Sequence, residues 1–111
     1  MKLSWEIHGA IALLVASGDF VTDGADSLRR TVSERFEQGA RSVVLDLSNI
    51  TIIDSAALES LLWLAEETAR LGGALRLVSP QHSVREALRL TRLTERFECA
   101  ESVELAARSM R

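Results

Sequence analysis

Between Arg41 and Leu71 a short apolar strand runs into a long amphipathic helix, and this junction restricts the fold more than any other segment. Ser42-Val43-Val44-Leu45-Asp46-Leu47 reads as the strand. Ser48 begins a polar break, Thr51-Ile52-Ile53 follows it, and Asp54-Ser55-Ala56-Ala57-Leu58 opens a helix that Gly72-Gly73 stops. Ala74 to Val78 supplies the next strand. Strand, helix and strand in this order make parallel neighbours joined by a right-handed crossover.

The preceding segment supplies a different pairing. Leu3, Trp5 and Ile7 alternate with Lys2, Ser4, Glu6 and His8, the period of a strand with one covered face. Gly9 allows a turn, and Ile11 to Ala16 is an uninterrupted apolar run, the pattern of a central strand. The two form an antiparallel hairpin that Gly18-Asp19 ends. A helix from Asp23 to Gln38 carries Ala25, Leu28, Val32 and Phe36 inward, with Gly39 as the residue just past its end and Arg30 and Glu34 a turn apart outside. After Ser79-Pro80, Ser83-Val84-Arg85-Glu86 has the form of a capping box at the start of a third helix with Val84, Ala87 and Leu88 inside. Phe97 and Cys99 suggest a short fifth strand, and Ser102 a cap for a last helix reaching Arg108, with Val103, Ala106 and Ala107 inward. The expected architecture is a single α/β domain over residues 1–111, a mixed four- to five-stranded sheet packed by about four helices.

Composition narrows the function classes. In 111 residues with a net charge of −3 there is no basic footprint for nucleic acid. No apolar run approaches the roughly 20 residues that span a bilayer, and Glu6, His8 and Gly9 interrupt the only segment that could resemble a leader. Membrane insertion is therefore not expected. The lone Cys99 cannot form an internal disulfide and reads as a small buried hydrophobe of a cytoplasmic protein. His8 and His82 lie in expected turns without ligands at metal spacing. Asp19, Asp23, Asp26, Asp46 and Asp54 lack the acidic pair and late lysine of a phosphoacceptor site, the only lysine being Lys2. No phosphate-cradling glycine loop and no convergent Ser-His-Asp set are apparent, so no catalytic residue, cofactor or metal is expected.

The second helix carries the candidate surface. At about 100° per residue, Leu58, Leu61, Leu62, Ala65, Thr68 and Ala69 form one stripe, with Glu59, Trp63, Glu66 and Arg70 opposite and Ser60 and Glu67 beside them. Glu66 and Arg70 have the spacing of a helical ion pair. Trp63 among charges is either a partner anchor or a residue covered by the terminal helix or a second subunit. Ala56 shares its meridian, which joins the helix mouth and Trp63 in one surface.

In order and spacing these segments resemble the STAS family, the domain of anti-sigma-factor antagonists, over essentially the whole chain. Gly18-Asp19-Phe20 is similar to the family's end of the second strand, Val43 to Ser48 to its third strand, Ile53-Asp54-Ser55-Ala56-Ala57-Leu58 to its switch motif, and Leu75 to Pro80 with Val84 and Leu88 to its fourth strand and third helix. The resemblance implies a non-enzymatic module that binds an anti-sigma factor, usually a serine kinase, which phosphorylates the second hydroxyl residue of the motif and so breaks the complex. That position is Ala56 in this chain, and the motif's glycine is Ala57. Ser55, at the motif's first serine, is a weaker phosphorylation candidate whose ordinary role is to cap the helix with Asp54. Arg92 stands where relatives place a helix-ending glycine.

The expected contact surface comprises Asp54, Ser55, Ala56 and Ala57, with Asp19 and Phe20 beside them and Glu59, Ser60 and Trp63 as an extension. Such a module, a monomer or weak homodimer, would stay binding-competent without the usual charge switch. Two alternatives remain: a STAS subunit of a lipid-transport ATP-binding-cassette complex, or a small nucleotide-binding or hydrolytic enzyme using Asp19, Asp54 and Ser55.

Overall fold

In the computed structural model, described over residues 1–110, the chain runs β1 (Lys2–His8), β2 (Ile11–Phe20), α1 (Thr22–Glu37), β3 (Ser42–Ile53), α2 (Ser55–Arg70), β4 (Leu75–Val78), α3 (His82–Leu90), β5 (Glu98–Ala100) and α4 (Val103–Ser109). A 3-10 turn at Thr94–Arg96 precedes β5. The sheet order follows the chain, β1-β2-β3-β4-β5, with β1 antiparallel to β2 and every other neighbour parallel. This is the mixed sheet with four helices expected from the residue pattern.

Strand parity divides β3 between two cores. Val43, Leu45 and Leu47 point toward α1, α2 and α3 and join the main core with Leu14, Phe20, Leu28, Leu61 and Leu77. Val44 points the other way and meets Val78 and Ala106 beneath α4. The consecutive apolar run Val43-Val44-Leu45 is thus accounted for by burial on both faces.

The hairpin closes as expected. Gly9 takes φ +61° at the first of two turn positions while Ala10 keeps a negative φ, the pattern of a type II′ turn. The covered face expected for β1 is largely open, however. Leu3 is half-buried, but Trp5 and Ile7 are 45% and 40% exposed, because β1 is an edge strand and α1 lies over β2 and α2. Arg35 of α1, buried against the expectation for an arginine, lays its guanidinium 3.5 Å from the Trp5 ring centroid.

Both central strands outrun their expected ends. β3 continues through the polar break to Ile53, and β2 through Gly18-Asp19 to Phe20. Two register shifts accommodate this: β3 advances an extra residue between Asp46 and Asn49 and another between Ile50 and Ile52. The Asp46 carboxylate accepts the Ser48 N–H at 2.9 Å at the first shift. Past the end of β4 the open edge of β3 is covered from α3, where Gln81 donates to the Ser48 carbonyl and Ser83 to the Thr51 carbonyl. Ser83 is therefore a strand-edge clamp and not a helix cap. α3 begins at His82 with Gln81 at the cap position and no side-chain cap bond, and Glu86 pairs with Arg89 at 2.7 Å instead.

Candidate functional site

The long β3 delivers α2 to the end of the sheet. Asp54 stands between them in extended backbone (φ −116°, ψ −176°). Its N–H donates to the Phe20 carbonyl at 3.3 Å, its carbonyl accepts the Leu58 N–H at 3.1 Å, and its Oδ1 accepts the Ala57 N–H at 2.9 Å. One residue thus ends the β2–β3 pairing and caps α2, tying the corner's backbone at three points. The cap belongs to Asp54 alone; Ser55, expected to share it, is the first helical residue and is exposed.

Burial sorts the remaining expected contacts. Asp19, Ser55 and Glu59 are exposed, and Asp54 and Ala56 half-buried. Phe20, Ala57 and Ser60 have no exposed surface and cannot touch a partner directly. Phe20 and Ala57 belong to the main core beneath the corner. Ser60 faces inward because its hydroxyl is satisfied within the helix, donating to the Ala57 carbonyl at 2.7 Å.

The inner stripe of α2 is rotated from the one the sequence suggested. Its buried residues are Ala57, Leu58, Ser60, Leu61, Leu64 and Thr68, because the helix leans on α1 as well as on the sheet. Thr68 is tolerated there by donating to the Leu64 carbonyl at 3.0 Å. Trp63 falls on the α1 side, half-buried against the core, with the Arg29 guanidinium of α1 5.7 Å from its ring centroid. The helix beside it is α1, not the terminal helix, and the ring keeps intermediate exposure. Arg70 reaches Glu67 at 2.7 Å, not Glu66, and that bond holds the Glu67 carboxyl below its ordinary pKa.

Ile52 is an exposed apolar residue of this corner that was not among the residues expected there. It is 53% exposed, pairs with Asp19 across the β2–β3 ladder and lies two residues before Asp54. The signal was available: adjacent strand residues face opposite ways, so Ile52 and Ile53 could not both enter one core. The corner therefore presents an exposed isoleucine and a half-buried alanine among Asp19, Ser55 and Glu59.

Little elsewhere competes as a chemical site. Cys99 is exposed on β5, not buried as expected, because β5 is the other sheet edge; partial desolvation still raises its thiol pKa, which disfavours the thiolate. His8 ends β1 and His82 begins α3, so neither is in a turn. Among the described residues no three His, Cys, Asp or Glu side chains converge to hold a metal, and no helix is long and apolar enough to cross a membrane. An open groove of about 770 Å³ lies between the hairpin and α4, lined by residues such as His8, Leu13 and Arg108, and shares no residue with the corner.

A side-chain-capped helix mouth at the end of a parallel strand pair, in a sheet whose first strand is antiparallel, defines a class. Residues 2–106 match the model of the STAS domain, and the chain belongs to that family. It is 29% identical over 107 residues to BtrV of Bordetella bronchiseptica, a protein named for anti-sigma factor antagonism, covering 96% of this chain and 92% of that one. The fold is also that of the anti-sigma factor antagonist SpoIIAA in its unphosphorylated form (TM-score 0.84, 16% identity, 97% and 96% of the two chains). The crystal structure of TM1081 from Thermotoga maritima, also named for anti-sigma factor antagonism, aligns with TM-score 0.88 at 22% identity over 97% and 93% of the two chains.

Proposed function

We propose that this chain is a non-enzymatic anti-sigma-factor antagonist that docks a serine-kinase-like anti-sigma factor through the β3–α2 corner. The observation that carries the reading is the composition of the corner. Exposed Ile52 and half-buried Ala56 supply apolar contact, with Asp19, Ser55 and Glu59 around them, on a backbone that Asp54 holds in place from three directions. Preorganisation of this kind lowers the ordering cost of association. Phe20, Ala57 and Ser60 act from beneath by fixing the corner's shape.

Control of such a surface by phosphate needs a hydroxyl facing the partner's kinase centre. A phosphate adds roughly −1.5 to −2 charges, and among Asp19, Asp54 and Glu59 that charge would oppose docking. Ala56, at the family's acceptor position, has no oxygen to modify. The module therefore stays binding-competent and is regulated by other means, such as its abundance. Ser55 is exposed, but it precedes the acceptor position by one residue, about 100° around the helix.

The test begins with capture of the kinase-like anti-sigma factor from the native cell on the immobilised chain. The captured protein is then incubated with the chain and ATP, and the chain's intact mass is measured. A stable complex with an unchanged mass is expected. Stoichiometric phosphate on Ser55 that releases the complex would overturn the constitutive reading. Capture of an ATP-binding-cassette subunit in place of a kinase-like protein would overturn the assigned partner.

A further inference from the structure

We infer that β1 is a self-recognition edge, at which a second copy of this chain adds its own β1 in antiparallel register to make one continuous sheet. The inference is independent of the β3–α2 corner. Sheet edges are ordinarily protected by brevity, proline, bulges or cover. β5, at the other edge, has three residues and an ion pair between Glu98 and Arg76 at 3.1 Å. β1 has seven residues, no proline and an unbroken register with β2.

The hairpin geometry states which groups are free. In a two-residue hairpin the flanking pair, His8 and Ile11, exchanges both backbone bonds, and the pattern alternates from there. Glu6, Ser4 and Lys2 therefore bond to β2, while the N–H and C=O groups of Leu3, Trp5 and Ile7 point away from the sheet. Trp5 and Ile7 are also two of the large apolar side chains most exposed in the chain. Trp5 is held in place by the buried Arg35, whose Nε and Nη1 have no hydrogen-bond acceptor and whose guanidinium lies against the ring.

Charge selects the occupant and the register. With the two-fold axis at Ser4, Leu3 and Trp5 of one copy exchange backbone bonds with Trp5 and Leu3 of the other. Lys2 of each copy then stands opposite Glu6 of the other, giving two complementary charge pairs on the α4 face. Centring on Trp5 instead sets Lys2 against His8, and centring on Glu6 sets the two carboxylates against each other. Cross-strand pairs of opposite charge stabilise and like pairs oppose, so the strand is complementary to itself in one register. The axis also directs the two α2 corners toward opposite ends of the joined sheet, leaving both free.

The test is sedimentation velocity of the full chain over a concentration series, with circular dichroism to verify the fold. A reversible dimer is expected for the native sequence. Glu6→Lys and Lys2→Glu should each weaken association about tenfold or more, and the double exchange Lys2→Glu with Glu6→Lys should restore it. In a Cys99→Ser background, Ser4→Cys should form an intermolecular disulfide, since directly opposed strand positions lie within the Cα range of about 4.4–6.8 Å that a disulfide spans. A chain that is monomeric throughout the series, a dimer indifferent to the single reversals, or single losses without rescue by the double exchange would each overturn the inference. So would a monomeric chain that takes up an unrelated extended peptide at β1.

Discussion

Placing a carboxylate at position 56 separates docking from folding at the proposed interface. Ala56 is the second residue of α2, one before the N–H that Asp54 caps. In Ala56→Glu the new charge sits near the positive end of the helix dipole, which favours it by about 0.3–1 kcal/mol, while the loss of alanine's helix propensity costs a few tenths. Ala56 is only half-buried, so the longer side chain can run its carboxylate out to water. The free variant should therefore melt within a few degrees of the native chain. In the complex, the same carboxylate loses water without a designated partner and lies beside Asp19 and Glu59. A desolvated, unpaired charge at an interface costs about 2–4 kcal/mol, roughly a thirty- to several-hundred-fold rise in Kd. Isothermal titration against the captured anti-sigma factor measures it, with Ala56→Gln as the control of equal size. Unchanged affinity for Ala56→Glu would remove Ala56 from the interface. Equal losses for Glu and Gln would show that shape, not charge, governs docking and would refute the electrostatic argument.

The remaining predictions concern the scaffold that holds the corner. Asp54→Ala should cost about 1–2 kcal/mol in denaturant unfolding, whereas Ser55→Ala should stay within about 0.5 kcal/mol; equal costs would mean that both residues cap the helix. At Gly73 an added Cβ would stand 1.8 Å from the Arg41 carbonyl oxygen, a backbone atom with nowhere to go. Gly73→Ala should therefore lose about 3 kcal/mol, and a loss below about 1 kcal/mol would refute the close approach of the α2–β4 turn to β3. Arg92 follows the end of α3 at φ +60°, so Arg92→Gly should gain about 0.5–1 kcal/mol in the same assay; destabilisation would contradict that backbone geometry.

What was legible in the residues follows from how local each signal is. Apolar alternation, continuous apolar runs and the glycines after helices depend on neighbours a few positions away, and they located every strand and helix. Ends of elements were less legible. The polar Ser48-Asn49 reads as a break, yet the strand continues because the Asp46 side chain, Gln81 at the cap of α3 and Ser83 within α3 satisfy its backbone there. The capping box at Ser83 failed for a related reason, its hydroxyl being engaged by a strand thirty-two residues away in sequence.

By itself the sequence determined the order of elements, the family they belong to and the place of Asp54 at a helix mouth, since capping and periodicity are contained within a few consecutive residues. Only the tertiary structure decided which side chains at that mouth meet solvent. Packing of α2 against α1 turned the helix so that Ser60 went inside and Trp63 came to lie partly against α1, and the lengthened β3 carried Ile52 to the surface. Orientation of a helix about its own axis depends on every neighbour it touches, and those neighbours are assembled from parts of the chain that no local window contains.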